Sequence, residues 1–191
     1  MKNVFCNLVF LAMLGVCTSS FAQDDKDDTH TIQITIPEVA LLDIEPSGSK
    51  NISLAFTAPT EAGNPITAPT ANNSLWLNYS SIVASTGETS RTVSVQITSG
   101  TVPSGADLTL QAAAPSGSNG GGTIANSASS TLTLSGSSQT LLTGIGSGYT
   151  GDGANNGHQL TYNLALASGA YSDLKHDAST TVTVTYTISD Q

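Results

Sequence analysis

The sequence predicts an all-β chain, an antiparallel β-sandwich of about 8–10 strands, and three observations carry that prediction. Apolar and polar residues alternate in a series of short segments, turn-forming stretches rich in Gly, Pro and Ser separate them, and no stretch carries the stripe of a full helix. An up-and-down β-barrel satisfies the same pattern and is the architectural alternative.

The N-terminus stands apart from that pattern. Lys2, the mostly apolar run Val4 to Val16 and Ser20-Phe21-Ala22 before Gln23 compose a signal peptide over residues 1–22, so export is expected: secreted, on the cell surface or in the periplasm. The apolar run breaks at Thr18, Ser19 and Ser20, short of the roughly 20 residues a membrane helix needs, and no membrane span is expected in the mature chain. Leu14-Gly15-Val16-Cys17 loosely imitates a lipobox, with bulky Val16 where a small residue belongs. Cys6 and Cys17 both lie in this segment. The mature chain is therefore cysteine-free, without disulfide, thiolate nucleophile or Cys-ligated metal, and its core alone must hold it together. The remaining 169 residues suffice for one such core.

Residues 23–30, opening with QDDKDD, read as a flexible acidic leader. Four basic residues, Lys26, Lys50, Arg91 and Lys175, face 14 acidic ones after the signal, a formal charge of −10. No basic footprint exists, which excludes nucleic acid as a partner.

From residue 31 to 191 the chain reads as a single sandwich domain. Ile32, Ile34 and Ile36 alternate with Thr31, Gln33 and Thr35, and Ile52, Leu54 and Phe56 repeat the pattern. Leu75, Leu77 and Tyr79 follow, then Val93, Val95 and Ile97, Leu108 and Leu110, Leu132 and Leu134, and Leu160, Tyr162, Leu164 and Leu166. The last ladder sets Val182, Val184, Tyr186 and Ile188 against Thr181, Thr183, Thr185 and Thr187, one face for a core and one for water. EPSGSKN at 45–51, residues 57–73, ASTGETS at 84–90 and TSGTVPSGAD at 98–107 supply turns. Residues 112–130 are a Gly/Ser-rich loop inside the one domain.

Chemistry is sparse. The serine of GSG at 146–148 has no strand-to-helix elbow after it, and His30, His158 and His176 stand in no metal-ligand spacing. Glu38, Glu45, Glu61 and Glu88 are unpaired by sequence, so no catalytic residue is expected and the chain reads as a non-enzyme. Asp152, Asn155 and Asn156, among Gly151, Gly153 and Gly157, are candidate oxygen ligands for calcium, the only cofactor considered; Asn-Gly and Asp-Gly pairs equally make plain turns. Trp76, the sole tryptophan, faces away from Leu75, Leu77 and Tyr79; with Tyr79 and Tyr149 it forms the candidate set for stacking on a glycan.

Gly169-Ala170-Tyr171-Ser172-Asp173, followed by Thr181-Val182-Thr183-Val184-Thr185-Tyr186, resembles the closing motif of spore-coat-U-like and chaperone-usher pilin domains. The resemblance covers roughly the last 25 residues and implies an Ig-like sandwich whose N-terminal strand is donated to a neighbouring subunit. Leu174 to Ser179 lengthens the link to the last strand, and the disulfide common in such pilins is missing. On this likeness Ile32, Ile34 and Ile36 are the donor candidates, Val182, Val184, Tyr186 and Ile188 line the groove or core, and the partners are copies of itself or related surface subunits. The expected role is an exported structural or adhesive subunit, and a secreted carbohydrate-binding module is the alternative.

Overall fold

A computed structural model describes residues 26–126, 129–176 and 180–191; the expected signal peptide lies outside them. The chain divides into two units, residues 1–35 and Ile36–Gln191. In the first, residues 26–35 form neither helix nor strand, and Ile32 and Ile34 are 73% and 83% exposed. The compact body is the second unit, from Ile36. The ladder Ile32-Ile34-Ile36 has the strand pattern but no strand, because period two sets which side chains share a face and does not supply a hydrogen-bonding neighbour.

The described residues of the body form ten strands: β1 (Val39–Glu45), β2 (Asn72–Ile82), β3 (Arg91–Ser99), β4 (Ala106–Ala112), β5 (Gly121–Gly122), β6 (Leu132–Thr133), β7 (Gln139–Ile145), β8 (Gly148–Tyr149), β9 (His158–Leu166) and β10 (Thr183–Asp190). One sheet runs β5-β8-β2-β9-β4-β6, with β1 along the other edge of β2, and the second runs β10-β3-β7. All pairings are antiparallel, and the sheets are not closed into a barrel. The architecture is a β-sandwich. Among the described residues no helix is long and apolar enough to cross a membrane.

Alternation sets the faces. Leu75, Leu77 and Tyr79 of β2, Leu108, Leu110 and Ala112 of β4, and Leu160 and Tyr162 of β9 point inward from the larger sheet. They meet Val93, Val95 and Ile97 of β3 and Leu141, Leu142 and Ile145 of β7. Val184, Tyr186 and Ile188 pack against this core but stay half-buried, since β10 is an edge strand. The Tyr186 and Tyr162 hydroxyls meet at 2.5 Å and tie the two sheets; burial pushes both phenols up, Tyr186 the further.

Ile52, Leu54 and Phe56 are half-buried at alternate positions, and Ile52 and Leu54 pack on the core. Their segment joins no ladder among the described residues, although its pattern predicted a strand. Within the Gly/Ser-rich stretch 112–130, Gly121–Gly122 form β5 and Ser116 bridges to Gly157.

Candidate functional site

Two surfaces of the body depart from ordinary sandwich faces, and one buried cation positions the first. Arg91 opens β3 at an inward position and is 2% exposed. Its Nη2 donates to Glu38 Oε1 at 2.5 Å, its Nε to Asp190 Oδ1 at 2.7 Å, and its Nη1 to the Val39 and Ile82 carbonyls and to Ser81 Oγ. A guanidinium suits this place because its planar fork serves several acceptors at once. The start of β1, the end of β2 and the end of β10 are thereby clamped at one pole. Sequence reasoning passed over Arg91; the one signal was a lone cation in register with Val93, Val95 and Ile97.

From that pole β10 runs along the smaller sheet paired, among the described residues, only to β3. Val184, Tyr186 and Ile188 face the core, whereas Thr185, Thr187 and Ser189 stand opposite Gln96, Ser94 and Thr92 on the outer face. Thr98 Oγ1 and Thr185 Oγ1 lie 2.7 Å apart there. Val182 lies just before the strand and also packs on the core. The four groove residues expected from the sequence thus sit together, while the donor candidates Ile32, Ile34 and Ile36 are 73–83% exposed and belong to no ladder.

The second surface is the outer face of the larger sheet. Leu41 pairs with Ser80, Ser80 with Tyr149, and Tyr149 with Gly121, one row across β1, β2, β8 and β5. Leu41 and Tyr149 are 65% and 52% exposed, flanking the small Ser80. A Cβ on Gly121 would come 3.1 Å from the Tyr149 hydroxyl, so glycine is what lets the phenol lie against that backbone. In the next row Asp43 pairs with Asn78, and Asp152 lies beyond. Lys50 donates to Asp43 Oδ1 at 2.6 Å and holds that carboxyl below its usual range.

The stacking candidates separate. Trp76 is half-buried on this outer face, opposite Glu45 and Gln159, and Tyr149 is exposed. Tyr79 is a correction: it points inward at 3% exposure, because residue 79 shares the parity of Leu75 and Leu77, and it presents no face to a ligand. Its ring stacks on His158, with centroids 5.7 Å apart. The Tyr79 hydroxyl accepts from Ala125 N at 2.9 Å and lies 3.2 Å from His158 Nε2, while His158 Nδ1 lies 2.8 Å from the Ala113 carbonyl. These partners fit a neutral imidazole donating through Nδ1 and accepting from the phenol. Burial lowers the His158 pKa and raises that of Tyr79 to about 12.

In the candidate calcium loop, Asn155 adopts a left-handed φ of 69°, and Asn156 Nδ2 donates to the Asp152 carbonyl at 2.7 Å. Asn78 Nδ2 caps the loop through the Gly153 carbonyl at 2.9 Å. A Cβ on Gly157, at φ 70°, would sit 2.4 Å from the Leu77 carbonyl, so glycine is obligatory where the loop meets β2. The Asn156 amide is thus engaged in holding the turn, and the Asp152 side chain is exposed beside the trough.

The chain matches no protein-family model, and it matches neither a curated protein nor a solved structure.

Proposed function

We propose that the chain is an exported, non-enzymatic structural or adhesive subunit that assembles with copies of itself by strand donation. The observation that carries this reading is a match of pattern between a segment and a strand edge that both lack a ladder partner among the described residues. Thr31-Ile32-Gln33-Ile34-Thr35-Ile36 and Val184-Thr185-Tyr186-Thr187-Ile188 share one binary signature: aliphatic or aromatic on one face, hydroxyl or amide on the other. Laid along the free edge of β10, the segment from a second copy continues both faces of the three-stranded sheet. Its isoleucines join the half-buried row of Val184, Tyr186 and Ile188, and its threonines join Thr185, Thr187 and Ser189. Three isoleucines exposed at 73–83% bring about 1.5–3 kcal/mol each on burial, before the cost of association. An exposed edge and an exposed apolar ladder in the same chain are otherwise an aggregation hazard.

Light scattering with size exclusion on residues 23–191 tests the reading. The expected outcome is concentration-dependent oligomers, dissociated by Ile34→Asp and absent when the chain starts at Pro37, with the ladder peptide re-binding the shortened chain. A full chain that stays monomeric over the accessible concentration range refutes it.

A further inference from the structure

We infer that the outer face of the larger sheet binds neutral saccharide in a trough between Leu41 and Tyr149. The trough lies over β2, about 340 Å3 in volume at its Asp43–Asp152 end, and a second hollow of about 370 Å3 continues it past Val39 and Ile82. Such volumes reach the lower range of small-ligand sites. Its section follows from register: Leu41, Ser80 and Tyr149 occupy one row on three neighbouring strands, so the two walls stand about 10 Å apart with a serine between them.

The chemistry of the lining selects the ligand. Tyr149 offers an aromatic ring, 52% exposed, on a strand paired at both edges, to Ser80 of β2 and Gly121 of β5; the ring rests over the Gly121 backbone, and the absence of side chain there fixes its orientation while leaving its other side open. An amphipathic ring with a fixed orientation loses little entropy when a sugar's apolar face stacks on it. The carboxylates of Asp43 and Asp152 are acceptors for sugar hydroxyls, and the Ser80 hydroxyl serves as donor or acceptor. Two carboxylates, with Lys50 already committed to Asp43, disfavour an anionic ligand. A peptide strand has no free edge to join over β2, whose two sides are taken by β1 and by β8 and β9. The face is the outer one of the opposite sheet from β10, so it does not depend on strand donation.

The test is an amide chemical-shift titration of residues 23–191 with cello-, manno-, chito- and galacto-oligosaccharides, with and without calcium. One neutral series is expected to give saturable shifts at Leu41, Ser80, Gly121 and Tyr149 in the absence of calcium. Tyr149→Ala should weaken binding tenfold or more, and the milder Leu41→Ala, at a position already 65% exposed, should weaken it severalfold without touching the core. The assembly variant Ile34→Asp should bind unchanged, which separates this proposal from strand donation. Absence of shifts at about 10 mM saccharide, a level at which even a millimolar Kd gives near-saturation, overturns the proposal. So does binding that survives Tyr149→Ala, or shifts at this trough that require calcium.

Discussion

Replacing Arg91 by Met keeps the aliphatic stem and removes every hydrogen bond of the guanidinium. The Val39 and Ile82 carbonyls and Ser81 Oγ then lose a donor in a region where Arg91 itself is 2% exposed. At about 1 kcal/mol for each unsatisfied group, that loss is roughly 3 kcal/mol. The ion pairs add less, because Glu38 is 73% and Asp190 39% exposed and solvent screens them; about 0.5 kcal/mol apiece is the scale of such pairs. The expected total is roughly 3–4 kcal/mol, with Glu38→Gln costing about 0.5 kcal/mol or less and Asp190→Asn about 0.5–1 kcal/mol. Urea unfolding at fixed pH reads these differences as midpoint shifts at constant m. For a body of this size, Arg91→Met should also lower Tm by roughly 10 °C. If Arg91→Met costs under about 1 kcal/mol, or Glu38→Gln costs as much as Arg91→Met, the clamp is not what joins β1, β2 and β10.

Other outcomes follow from single contacts. His158 is held neutral with its pKa lowered by burial, so the unfolded chain binds the extra proton; stability is full above about pH 6.5 and falls as pH drops from there toward the folded-state value, and thermal melts between about pH 8 and 5 should lose this slope in His158→Gln. Tyr186→Phe strands the buried Tyr162 hydroxyl and should cost about 1 kcal/mol by urea unfolding. Gly100 and Gly144 share φ of 74°, but a Cβ on Gly100 meets the Thr181 carbonyl at 2.1 Å whereas Gly144 is open; Gly144→Ala should cost about 1–2 kcal/mol and Gly100→Ala clearly more, and equal costs would refute the packing argument.

Much of the body was legible because a half-buried sheet imposes period two. Leu75-Leu77-Tyr79, Val93-Val95-Ile97, Leu108-Leu110 and Leu160-Tyr162 all point where their alternation says, and the terminal threonines face outward. What failed to show depends on pairing across the chain. Strand β1 breaks the alternation at Leu41-Leu42, one outward on the trough and one inward on the core, so no ladder announced it. Ile52-Leu54-Phe56 has the alternation without the ladder, since side-chain burial and backbone pairing are separate requirements. Tyr149 was visible as an aromatic, but its small neighbours come from residues 80 and 121, and only register brings them beside it. Arg91 meets Glu38 and Asp190 at separations of 53 and 99 residues, which no local pattern encodes.

The Arg91 clamp has a counterpart in covalent chemistry. Glu38 and Asp190 lie 152 positions apart, nearly the two ends of the body, a span that a disulfide could close in other chains. A disulfide persists in the unfolded chain and restricts it, whereas ion pairs and hydrogen bonds vanish on unfolding and act only on the native side of the equilibrium. No cysteine occurs between Ile36 and Gln191. Closure of this body by the clamp is therefore rebuilt at every refolding from groups that need no oxidant.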